Sequence, residues 1–287
     1  MGEIAHAIVE PGFFSSSAVQ LAAAVGGLVA VVAAAVGVFT VLRGQAFAGE
    51  ALGDVGAAGG SSSYLLGIVP LWGFVGIAVA AAGVMELIGI QRARGRDLAT
   101  GIVLGAGFGL AALFLYLGTT DTSTTGATVT ILFGSIFALD PSVLPPALAL
   151  GAIALGIVVV LYRPLLISSL SPELAAARGI PVRLVGTLYL IAMAVAVALS
   201  AMTIGAILST ALLVGPAATA LHLTRRPGRA IAAAAGIGVT VMWLGLLLAY
   251  DSYYWPPLHR GWPVSFFVVT LVLLAYIGAH ALARRRA

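Results

Sequence analysis

The chain has 287 residues, 61% of them apolar and only 8% charged, with a formal net charge of +4. Soluble domains carry about 25% charged residues, so this composition excludes a soluble globular protein and predicts an all-α polytopic membrane protein. There is no Cys, and all 14 basic residues are Arg; this excludes disulfides, thiolate metal sites and the phosphate-binding loop whose Lys reaches the phosphates of ATP.

A spanning helix needs about 20 mostly apolar residues. Residues 1 to 16 contain Glu3, Glu10 and Pro11 without a basic start, and read as an external interfacial segment, not a signal peptide. Ser17 to Leu42 then runs 26 residues without a charge. Ala46 to Ser62 is less apolar and carries Glu50 and Asp54. Leu65 to Met85, Leu98 to Thr120 and Pro141 to Tyr162 are clear spans. Leu184 to Leu221 has 38 uncharged residues, enough for two spans with a turn near Ser200 to Gly205. Ala230 to Tyr250 and Gly261 to Ala279 follow.

The Arg residues orient these spans, because short cytoplasmic loops are rich in basic residues. Thirteen of the 14 group at Arg43; at Arg92, Arg94 and Arg96; at Arg163, Arg178 and Arg183; at Arg225, Arg226 and Arg229; and at Arg284 to Arg286, leaving only Arg260. All groups share one side only if an even number of crossings separates them. That predicts nine spans in one domain over 1–287, with the N-terminus outside and the C-terminus cytoplasmic. It requires Ala46 to Ser62 to cross, and Thr122 to Leu139 to be an external re-entrant or interfacial piece. Tyr253, Tyr254, Trp255 and Trp262 suit the outer interface. The basic residues thus follow topology and suggest no nucleic acid.

Glu50 and Asp54 are the strongest chemical signal. Spaced i, i+4, they share one helix face, with Cβ atoms roughly 5–6 Å apart. Carboxylates within a membrane segment are costly and mark pathways. Two copies around a twofold axis would bring four carboxylates to one path, which suits a divalent cation. The bland alternative, a cytoplasmic amphipathic helix with solvated acids, conflicts with the Arg parity. Loop 163–183 contains a second signal. Ser171 is an N-cap candidate and Pro172 fits the first helical position. Glu173 suits the helix start and Arg178 its end, while Gly179 and Pro181 stop it. Such a helix is either a connector on the membrane surface or a docking element for a motor protein.

Other residues read more plainly. His222 and His280 sit at cytoplasmic helix ends as snorkelling residues. Glu86 is expected to be neutralised by a nearby Arg. Asp121, Asp140 and Asp251 are expected as solvated external acids. Gly101, Gly105 and Gly109 suggest helix packing. Ser209, Thr210 and Pro216 would line a path through a kinked helix, or mark a kink without function.

Four segments together carry a family resemblance: Val41 to Phe47 running into Gly49-Glu50-Ala51-Leu52; Leu132-Phe133-Gly134-Ser135-Ile136; Ser171-Pro172-Glu173-Leu174-Ala175 with Gly179 to Val182; and Ala211-Leu212-Leu213-Val214-Gly215-Pro216-Ala217-Ala218-Thr219-Ala220. In this order they resemble the permease subunits of bacterial ABC importers for zinc, manganese and iron(II), the ABC-3 family. The resemblance implies a multi-pass protein of the bacterial cell membrane that is not an enzyme. It implies a second permease subunit, two cytoplasmic ATP-binding subunits and an extracytoplasmic metal-binding protein. Divalent metal would be the transported substrate, no cofactor would be held permanently, and ATP would bind the partner. Ser171, Pro172, Glu173, Leu174, Ala175 and Arg178 would form the coupling helix. Many family members have an acid followed four residues later by His in the gate helix; here the matching positions are Glu50 and Asp54. Carboxylate oxygens suit manganese better than zinc. A secondary carrier using Glu50 and Asp54 as ion or proton sites is the alternative. A membrane-embedded enzyme is disfavoured, since the chain has neither a nucleophile motif nor an H-E-x-x-H motif.

Overall fold

The structure, a computed structural model, describes residues 13–90, 93–121, 125–224, 226–255 and 261–284. The described residues form helices and no strand. In chain order these are α1 (Ser17–Leu42), α2 (Ala46–Leu66), α3 (Pro70–Ile88), α4 (Ala93–Asp121), α5 (Thr125–Phe133), α6 (Leu144–Val160), α7 (Tyr162–Leu170), α8 (Pro172–Ala177), α9 (Val182–Ile204), α10 (Ala206–Leu223), α11 (Pro227–Ser252) and α12 (Val264–Arg284). Two short 3₁₀ turns, Ile136–Ala138 and Pro141–Val143, join α5 to α6.

Among the described residues, eight helices are long and apolar enough to cross a membrane: α1, α3, α4, α6 with its preceding turn, and α9 to α12. The ninth expected span, α2, has 21 residues, about 31 Å at 1.5 Å per residue. It is too polar to face lipid, and its residues 51 to 61 are buried in protein. It packs against α3 and α4 on one side and α9 and α10 on the other. A backbone in lipid must satisfy its polar groups internally, and polar side chains follow the same rule here. Ser61 donates to Ala57 O, Ser200 to Ala196 O and Thr219 to Gly215 O, each one turn back.

α1 and α9 form the centre, and α11 and α10 pack on α1. The predicted turn within 184–221 falls at Gly205, whose φ of 91° lies in the left-handed region. There the α5–turn segment presses in, with the backbone of Leu132 and Phe133 against Gly205. α5 has only nine residues, too few to span, in agreement with the re-entrant or interfacial expectation for 122–139; residues 122–124 and 1–12 lie outside the described residues.

The Arg-bearing helix ends converge on one end of the bundle. Arg43, after α1, donates to Ser168 of α7 at 3.1 Å. Arg183, in α9, pairs with Glu86 of α3 at 3.1 Å, which supplies the expected neutralisation. Gly228, at the start of α11, lies against the Tyr162 hydroxyl. At the opposite end Tyr253, Tyr254, Trp255 and Trp262 are all 40% or more exposed. The positive-inside bias predicts that the Arg-rich end is cytoplasmic. A single Cys introduced at exposed Gly261 should therefore react with an impermeant reagent from outside; reaction from the cytoplasmic side alone would reverse the orientation.

Two expectations change. Asp251 is not a solvated loop acid: it is 4% exposed. α11 runs on to Ser252, and the chain returns so that the Trp262 amide donates to Ser252 Oγ at 2.9 Å, covering the helix end. Gly101, Gly105 and Gly109 are exposed and, among the described residues, meet no neighbouring helix; Gly107 between them meets Val55 of α2.

Candidate metal pathway and coupling surface

α2 starts after a tight turn at Arg43 and Gly44, with Gln45 as its N-cap. One turn in, Glu50 is exposed, and one turn further Asp54 is 6% exposed. Glu50 opens into a groove of about 530 Å³ between α2, α10 and α12. Thr210, Ala211 and Val214 of α10 and Val272 and Tyr276 of α12 form its opposite walls. Apart from Glu50, Thr210 and Tyr276, its walls are apolar.

The structure brings some of the sequence candidates together and leaves others apart. Thr210 faces the same groove as Glu50. Ser209 is buried against Gly53, between the two acids, and its hydroxyl donates to Ala206 O at 2.8 Å. Pro216 lies buried inside α10 and does not line the groove. Asp54, 6% exposed, does not line the groove. No cluster of three or more His, Asp or Glu occurs among the described residues. Hard divalent cations such as Mg²⁺ and Ca²⁺ take six or more ligands, mostly oxygen and including water; Glu50 and Asp54 would supply only some of them.

The loop at the Arg-rich end folds as its residue pattern predicts. The Ser171 hydroxyl accepts from the Leu174 amide at 3.2 Å, and Pro172 occupies the first turn of α8. The helix closes with the amides of Gly179 and Ile180 donating to Ala176 O and Ala175 O, and Gly179 takes a φ of 75°. Ala175 is the one buried residue of α8; Pro172, Glu173, Leu174 and the following Arg178 are exposed. Leu174 is 50% and Leu170 is 85% exposed, an apolar pair on the surface of the loop.

Arg43 joins these two regions, which its reading as a topology marker did not reveal. Its guanidinium bonds Ser168 just before α8, bonds Gln45 at the start of α2 at 3.4 Å, and lies 5.4 Å from the Tyr189 ring centroid. Tyr189 is itself fixed, in contact with Thr40 Oγ1 at 2.6 Å and donating to Val36 O at 3.1 Å. The acidic helix and the exposed loop are thus tied through one side chain. At the opposite end, a second cavity of about 470 Å³ is edged by Tyr64, Ser135 and Asp140. The Ser142 hydroxyl and amide hold the Asp140 carboxyl below the usual carboxylate range, so it stays ionised at neutral pH.

Residues 15–279 match the sequence profile of the ABC 3 transport family. The chain belongs to this family. It is 31% identical over 226 residues to the manganese transport system membrane protein MntC of Halalkalibacterium halodurans, covering 78% of this chain and 76% of that protein. It is 27% identical over 238 residues to the manganese import system permease protein ScaB of Streptococcus parasanguinis, covering 83% and 82%. Among solved structures, PsaBC from Streptococcus pneumoniae in complex with Fab superposes with a TM-score of 0.80 at 27% identity, covering 96% of this chain and 95% of that one. This ABC-3 member is accordingly a multi-pass permease of the bacterial cell membrane.

Proposed function

We propose that the chain forms the translocation pathway of an ATP-driven manganese importer, in which Glu50 and Asp54 hold the cation and α8 couples the pathway to an ATPase. The observation that carries this is the placement of Glu50 in the groove between α2, α10 and α12, with Asp54 on the same helix face one turn deeper. The names of the relatives support manganese as substrate, and the ligand chemistry agrees: two carboxylates are hard oxygen donors, which suit Mn²⁺ over softer ions. Family membership supports ATP over an ion gradient as the energy source. A chain without Lys has no phosphate-binding loop of its own, so hydrolysis belongs to two cytoplasmic ATP-binding subunits. A second permease copy would complete the metal shell, and an extracytoplasmic metal-binding protein would deliver the ion at the end bearing Asp140.

In this scheme Leu174 enters an apolar groove on the ATPase, with Glu173 and Arg178 at the rim. ATP-dependent closure would move α8, and the Arg43–Ser168 bond would carry that movement to the start of α2. The test is Mn²⁺ uptake into proteoliposomes containing the permease and its ATPase. Uptake should require ATP and be indifferent to an imposed ion gradient. Leu174→Asp puts a charge into the apolar contact; losses at such interface positions reach about 2 kcal/mol or more. ATPase retention and uptake should therefore fall at least about tenfold, while the permease inserts normally. Full uptake by this variant would remove α8 from the coupling role.

A further inference from the structure

α10 and α12 carry a second cluster, just beyond the groove. His222 lies in the last turn of α10 and His280 one turn before the end of α12, 58 positions apart in sequence, with ring centroids 5.4 Å apart. Tyr276 contacts both: its ring is 5.3 Å from that of His222 and stacks on His280 at 6.3 Å. The pair continues the groove. Ala218 and Tyr276 line it, and His222 and His280 stand four residues after them, one turn nearer the Arg-rich end on the same helix faces.

We propose that His222 and His280 form a binding site for a divalent transition-metal ion at the Arg-rich mouth of the groove. Three observations converge on this. The Nδ1 of His222 lies 2.9 Å from Ala218 O. A carbonyl only accepts, so this nitrogen carries the proton, and Nε2 is left with the free lone pair that binds metal. Fixing a ligand imidazole through its other ring nitrogen is the usual arrangement at metal sites. Second, Nδ1 of His280 is buried with no hydrogen-bond partner among the described residues. A buried nitrogen left unsatisfied is unfavourable, and a cation would satisfy it. Third, the ring spacing fits. Two imidazoles on one tetrahedral ion, with metal–nitrogen bonds of about 2.1 Å, place their centroids about 5 Å apart.

Two protein nitrogens leave the remaining coordination positions open to water. The site therefore suits an ion that exchanges quickly rather than one that is stored. Its role as an exit station for metal leaving Glu50 rests on the function proposed above; its ability to bind metal does not.

The experiment uses the full-length permease in lipid nanodiscs, without a histidine tag and with His6→Gln and His259→Gln, so that only the pair remains. Cu²⁺ is the probe, as the divalent ion that nitrogen sites bind most tightly. Pulsed EPR should show two coordinated imidazoles. His222→Gln and His280→Gln should each reduce this to one and weaken Cu²⁺ binding at least about tenfold, with helicity and elution unchanged. Glu50→Gln should leave the two-imidazole signal intact. A signal from one imidazole or none in the parent protein, or unaltered binding in both His variants, would overturn the proposal. If the signal behaves as expected while Glu50→Gln transports Mn²⁺ normally, the site stands and the assignment of the carboxylate pathway fails.

Discussion

Mn²⁺ uptake should fall at least about tenfold in Glu50→Gln and in Asp54→Asn, and should vanish in the double variant. Each amide keeps the side-chain shape and removes one charge from a cation path. A pair of unit charges about 4 Å apart interacts by about 4 kcal/mol at an effective dielectric constant of 20, and a divalent ion doubles this. A tenfold loss corresponds to only about 1.4 kcal/mol, so it is a low bound even after partial compensation by water. If instead the acids only set helix packing, their amides would alter expression or thermal stability and spare transport. Asp54→His adds a test of selectivity. Imidazole is a softer ligand than carboxylate, so this variant should shift preference from Mn²⁺ towards Zn²⁺. The decisive data are uptake rates for both metals in folded protein. Wild-type rates in both single amide variants would move the pathway elsewhere.

The second large effect is expected at the crossing of α2 and α3. A Cβ at Gly59 would fall on the Gly73 carbonyl, and one at Gly73 on the Gly59 carbonyl and Ser63 Oγ. Backbones this close tolerate no side chain, and packing in membranes depends on such contacts between small residues. Gly59→Leu must therefore push the helices apart. Overpacking costs about 1–3 kcal/mol even where side chains can yield, and here backbone must move. Shifting α2 would also displace Glu50 and Asp54, so the folded yield and the transition temperature in detergent should both drop. Gly76, on α3, is the control: nothing lies within 4 Å of its Cβ position, and Gly76→Ala should leave both unchanged. A Gly59→Leu protein as stable as wild type would show that α2 and α3 are not locked at this crossing.

Much of the candidate site was legible in the sequence, and for identifiable reasons. Glu50 and Asp54 stand out because a carboxylate in an apolar chain is rare, and their spacing alone puts them on one helix face. Ser171 and Pro172 mark the start of α8 because capping is a local interaction, complete within four residues. Thr210 was a candidate from its helix; the groove that joins it to Glu50 was not visible, because it is formed by α2, α10 and α12 together. His222 and His280 each read as isolated snorkelling residues, because nothing local signals a neighbour 58 positions away.

The sequence by itself determined the membrane class, the clear apolar spans, the break near Gly205 and the grouping of Arg at one end. These follow from hydropathy, backbone preference and charge, which act residue by residue or between near neighbours. The parity of the Arg groups also predicts that the weakly apolar α2 crosses, whereas among the described residues eight helices, α2 not one of them, are long and apolar enough to span. What only the tertiary structure decided is which face of each helix meets protein. Gly107, not Gly101, Gly105 or Gly109, packs on Val55; Asp251 is buried although its sequence surroundings suggest a loop; and Arg43 links the acidic helix to the exposed loop. The physical reason is that a helix buried in lipid is apolar all round. Its sequence then carries little record of which side faces lipid and which faces its neighbours, and close packing of the assembled bundle makes that choice.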